Sequence, residues 1–159
     1  MKNLIIAASL LIGVSAFSQA KIDPTKLAFS PVDASPMDAT YYPIGAASSK
    51  TDAPKVKVVY SRPQKKSRVV FGNLVKYGEI WRMGANENTE IKFYTAVKIG
   101  GKDIPAGTYS LFAVPNEKEW TIVLNSDIDK WGAYAYDKSK DVLRLTVPVE
   151  KTTAPVEYF

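Results

Sequence analysis

The chain contains no histidine and no cysteine. Those two absences exclude more chemistry than any motif in it supplies. Ser-His-Asp and Cys-His nucleophilic catalysis cannot be assembled without them. Neither can zinc sites built on Cys or His. A general acid or base has to be Asp, Glu, Lys or Tyr, and a metal would have to be a hard cation held by oxygens. No disulfide can brace the fold, so apolar burial must hold it. Long apolar runs are also scarce. The run Leu4 to Val14 is too short to span a bilayer. It follows Lys2 and precedes Ser18-Gln19-Ala20, the order of a positive n-region, an apolar h-region and a small-x-small cleavage site. Residues 1–20 therefore read as a signal peptide. The mature chain is expected to be exported, periplasmic or secreted, with no stable membrane insertion after cleavage. A thioether lipid anchor is excluded for want of cysteine.

Charge is modest as well. The net charge is +5, one unit less once a leader carrying Lys2 is gone. That is ordinary for solubility and no footprint of nucleic-acid binding, which an exported chain would not meet. No segment carries a convincing amphipathic helix of three turns. Asn125-Ser126-Asp127-Ile128-Asp129 resembles the start of an oxygen-ligand calcium loop. However, Lys130 stands where glycine is needed and Tyr136 where the bidentate glutamate is needed. The segment reads instead as an Asx-bonded turn. No metal and no cofactor is expected.

Three regions remain. After the leader, residues 21–54 hold Pro24, Pro31, Pro36, Pro43 and Pro54 among Ser, Ala, Asp and Gly. They read as a poorly structured Pro/Ser-rich arm. Residues 55–159 are the folded domain, long enough for a core. Val56, Val58 and Tyr60 alternate with lysines in a half-buried strand. Ile91, Phe93, Thr95, Val97 and Ile99 share one face of a strand. Gly100-Gly101 then supplies a two-residue turn with positive φ, and Lys102-Asp103-Ile104 pairs back. Pro105-Ala106-Gly107 turns a further corner, with positive φ expected at Gly107. Strands follow over Thr108–Val114, Trp120–Leu124 and Asp141–Val149, with Pro148 on an outward, edge position. Phe93, Val97, Leu111, Ile122, Leu124, Leu143 and Leu145 form the expected core. The fold class is all-β, an antiparallel β-sandwich or a partly open barrel. The apolar ending Val156–Phe159 fits a chain from which C-terminal strands are missing.

Function is sought in Trp81-Arg82-Met83-Gly84-Ala85-Asn86-Glu87. As scaffolding, Gly84 would take a positive-φ turn, Arg82 would pair with Glu87 or Asp103, and Trp81 would be core. As a site, Arg82, Asn86 and Glu87 would converge in a pocket walled by Trp81 and Trp131. A guanidinium beside an amide and an indole suits a small polar, anionic or glycan-like ligand. A glycan hydrolase or lyase is the enzymatic alternative, using Glu87 with Asp137 or Glu90. A structural or partner-binding envelope protein is the third. Trp131, Tyr134 and Tyr136 either stack on a sugar or pack over the sheet. Lys55, Lys57, Arg62, Lys65, Lys66, Arg68 and Lys76 lie in a stretch without acids. They read as a solvated strand edge protected by lysine, the alternative being a patch for anionic glycans or lipid phosphates.

Several phrases carry a resemblance: Tyr60-Ser61-Arg62-Pro63, Phe71-Gly72-Asn73-Leu74-Val75, Trp81–Glu87, Ile104-Pro105-Ala106-Gly107-Thr108-Tyr109-Ser110-Leu111 and Trp131-Gly132-Ala133-Tyr134. From about Pro36 onwards the chain resembles an exported bacterial family, domain of unknown function 2911. The resemblance implies a signal peptide and an all-β domain, and no activity. It also implies further strands beyond the equivalent of Phe159.

Overall fold

A computed structural model describes residues 23, 25, 33–48 and 52–159. The expected signal peptide, residues 1–20, lies outside the described residues. Among the described residues there are eight strands: β1 (Met37–Tyr42), β2 (Val56–Ser61), β3 (Thr89–Phe93), β4 (Val97–Ile99), β5 (Lys102–Ile104), β6 (Gly107–Pro115), β7 (Glu119–Asn125) and β8 (Asp141–Pro148). Six of them form one antiparallel sheet in the order β1-β2-β3-β6-β7-β8, and β4-β5 form a separate pair. β1 and β8 are the two edges, so the sheet is open and not closed into a barrel. The architecture is all-β, with no α-helix among the described residues. None of these residues belongs to a helix long and apolar enough to cross a membrane.

Alternation decides which side chains meet, because paired residues share a face. One face carries Val56, Ile91, Phe93, Tyr109, Leu111, Leu124, Leu143 and Leu145, and the β4-β5 hairpin supplies Val97, Ile99 and Ile104 against it. The hairpin turn is the expected one, with Gly100 at φ 56° and Gly101 at φ 82°. It also packs: a Cβ at Gly100 would stand 2.9 Å from Leu145 Cδ1. The second corner falls at Pro105-Ala106, where the chain passes from the hairpin to the large sheet, and Gly107, with positive φ at 158°, opens β6. The other half of the same face is aromatic. Trp81 exchanges both backbone hydrogen bonds with Ala113, at 2.7 and 2.9 Å. Its indole packs edge-on against Phe71, Trp120 and Phe159, with centroids 5.4, 6.0 and 5.5 Å away.

Three expectations need correction. The arm at 21–54 contributes a strand: β1 pairs with β2 from Met37↔Ser61 to Tyr42↔Val56. Pro36 and Pro43 flank that strand without interrupting it. As a result β2 is not an edge, and its lysines do not serve as edge protection. Next, the run Ile91–Ile99 is not one strand. The chain bends at 94–96, which folds the hairpin over the core. Lastly, Phe93, Leu124 and Leu143 are buried, but Val97, Leu111, Ile122 and Leu145 are only half-buried. A two-stranded layer cannot cover a six-stranded sheet, so residues at its margin keep some exposure.

Candidate functional site

The stretch after Trp81 leaves the sheet as a loop. Its neck is closed by Thr89 N donating to Arg82 O at 3.1 Å, and Thr89 Oγ1 donates to Met83 O at 2.6 Å. The sharp turn is taken by Met83 (φ 54°) and Asn86 (φ 59°), not by Gly84. Gly84 has a different task. A Cβ there would stand 3.2 Å from Ser61 O and 3.4 Å from Thr89 Oγ1. The glycine is needed for close approach to β2, and the turn strain falls on its neighbours.

A second loop, 126–137, is stitched to this one. Gly132 N donates to Asn86 O at 2.8 Å and Asn88 N to Lys130 O at 3.0 Å. Glu87 and Trp131 thereby form an antiparallel bridge. Of the two antiparallel geometries, this is the one with close side chains. Asn88, almost fully buried, anchors the junction. Its Oδ1 accepts from Lys130 N at 2.9 Å, and its Nδ2 donates to Ser110 Oγ at 2.6 Å. Ser110 Oγ donates onward to Asp127 O. The expected Asx turn is present, with Asp127 N donating to Asn125 Oδ1 at 2.9 Å. At Gly132 (φ 70°) the Tyr134 ring lies so close that a Cβ would stand 2.8 Å from it.

The far end of this loop is braced by a network that the sequence did not advertise. Tyr136 packs on Phe112, with centroids 5.3 Å apart, and donates from its hydroxyl to Asp141 Oδ2 at 2.6 Å. Arg144 Nη1 donates to the same carboxylate oxygen at 2.8 Å and to Tyr136 Oη at 2.9 Å. Asn125 Nδ2 donates to Asp141 Oδ1 at 2.9 Å. Burial, then the Asp141 carboxylate, push the Tyr136 phenol up to about 12 from its ordinary 10.0. A raised phenol pKa favours the neutral form in the folded state. Its contribution to stability is complete below about pH 10 and lost as pH rises through about 12. In an ultraviolet titration of the native protein, a tyrosine step is expected near pH 12, above the ordinary phenol range. Asp141→Asn should move that step back toward the ordinary range.

The structure brings together Asn86, Glu87 and Trp131 and leaves Trp81 apart. Trp81 shares a sheet face with Ala113 and Trp120, whereas the 126–137 loop packs on the opposite face through Phe112 and Ser110. A pocket walled by both tryptophans is therefore not formed. Nor is the Arg82–Glu87 ion pair. Glu87 is exposed at the loop tip beside Trp131, and Arg82 sits half-buried at the neck with no ion-pair partner among the described residues. Arg82 Nε and Ser61 Oγ are buried without a hydrogen-bond partner among those residues. Glu90 accepts from Asp129 N at 2.8 Å. Asp137 caps the short turn 138–140, and hydrogen bonds from Ser139, hydroxyl first and backbone second, hold its carboxyl below the usual range.

Fold and site together define an open-sheet all-β domain whose paired loops present an exposed tryptophan. The chain belongs to the family described as protein of unknown function (DUF2911), which matches residues 43–159. No curated protein and no solved structure matches it.

Proposed function

We propose that this is a non-catalytic, exported binding domain whose loop platform takes a polar, glycan-like ligand. The observation that carries this is the exposure of Trp131 (62%) and Tyr134 (88%) on a loop that is otherwise tightly tied. Large rings left in water on a rigid support cost little to order when a ligand arrives, and a flat π-face suits a sugar ring. Glu87 and Asn86 add polar groups at the same bridge. Export follows from the leader-like first twenty residues.

The hydrolase alternative is disfavoured by the state of its second carboxylates. Glu90 is engaged by Asp129 N, and Asp137 is taken up as the cap of the short turn 138–140, so neither is held as a free partner for Glu87. The test is a thermal-shift and calorimetric screen of soluble oligosaccharides against the wild-type protein and Trp131→Ala. A glycan is expected to raise the wild-type melting point and to lose this effect in the variant, which melts like the wild type. A glycan that binds Trp131→Ala undiminished sinks the reading. Fractionation tests export: uncleaved protein retained in the cytoplasm would contradict it.

A further inference from the structure

The open face of the sheet away from the hairpin carries an unusual row. Across four strands, Tyr41 pairs with Lys57, Lys57 with Lys92 and Lys92 with Thr108. Two lysines thus stand directly opposite each other on the adjacent strands β2 and β3. Like charges in that position destabilise a sheet. Both strands are interior ones, so protection of an exposed edge does not account for the pair. Neither ammonium has an ion-pair partner among the described residues. Each instead stands over an aromatic ring, Lys57 Nζ 5.6 Å from the Tyr41 centroid and Lys92 Nζ 4.7 Å from that of Tyr94. The carboxylate alongside, Glu90, accepts from Asp129 N through Oε1 and forms no ion pair with either lysine. Lys57, Val59, Glu90, Lys92 and Thr108 line a concavity of about 140 Å³.

We infer that this row is a second binding site, which takes the phosphate group of a small soluble ester. Two facing ammoniums attract a dianion more strongly than a monoanion, and a phosphate monoester carries close to two charges at neutral pH. A carboxylate would offset only one of them. Each ammonium brings three rotatable donors, and the Thr108 hydroxyl a further one. The cavity admits one such group. A membrane surface fits worse, because the donors line a concavity that a flat anionic layer would not enter.

The test is a titration of isotope-labelled protein with inorganic phosphate, at ionic strength matched with chloride and followed by amide NMR. Saturable shifts are expected at residues 57, 92 and 108. In Lys57→Gln/Lys92→Gln the like-charge repulsion is gone, so the melting point should be equal or higher. Phosphate affinity should fall at least about tenfold, as two charge-assisted contacts are lost. The inference is overturned by unsaturable or scattered shifts, or by unchanged affinity in the double variant. A lowered melting point would make the pair structural and also overturn it. So would a response to phosphatidylglycerol vesicles without one to phosphate.

Discussion

Trp81→Ala is expected to lower stability by about 3–5 kcal/mol, the range for removing a large buried aromatic. The upper part of that range applies for a geometric reason. The Trp81 backbone is pinned to Ala113 on both sides, so the chain cannot close over the void. Phe71, Trp120 and Phe159 come from three separate segments and meet at this indole. None can move into the gap without leaving another contact. Edge-to-face geometry adds further attraction beyond the area buried. Urea unfolding followed by far-ultraviolet circular dichroism measures the effect. A loss below about 1 kcal/mol, the level of ordinary surface substitutions, would mean that the aromatic half of the face is not core.

Leu143→Ala should also destabilise, by about 2–5 kcal/mol, but toward the lower end. Leu143 clusters with Phe93, Tyr109 and Leu124 of its own sheet and with Ile104. Ile104 belongs to the hairpin, whose strands pair only with each other. That layer can settle toward the smaller side chain, and partial collapse reduces the cavity term. The accompanying sign is faster hydrogen exchange in β4 and β5 than in β6 and β7. A loss near the top of the range with unchanged hairpin exchange would show that the two layers move as one rigid body.

The sequence disclosed those parts of the fold that rest on period and turn chemistry. Alternation located β2, β6, β7 and β8, since a half-buried strand must alternate. Gly100-Gly101 located the hairpin because both positions require φ > 0. β1 is masked by the proline density of the arm as a whole, whereas the spacing between Pro36 and Pro43 leaves room for a six-residue strand. The bend at 94–96 was hidden because period reports facing and not straightness. In the candidate site, residue types drew attention to the 82–89 loop but did not give its partners. Trp81 stays on the sheet through its bridge to Ala113, whereas the chain leaves the sheet as a loop from Arg82 onward. The junction that unites Glu87 with Trp131 rests on Asn88, whose side chain satisfies two segments far off in sequence. Tyr136, Asp141 and Arg144 likewise meet only once the loop has folded back.

The central proposal is that Trp131, and not the other two tryptophans, meets the ligand. Fluorine-labelled tryptophan reports on all three at once by fluorine NMR. On adding the glycan identified by the screen, the Trp131 resonance, assigned through Trp131→Phe, is expected to shift and saturate. The resonances of Trp81 and Trp120 should stay in place. A saturating shift confined to Trp81 or Trp120, with Trp131 unmoved, would contradict the loop platform.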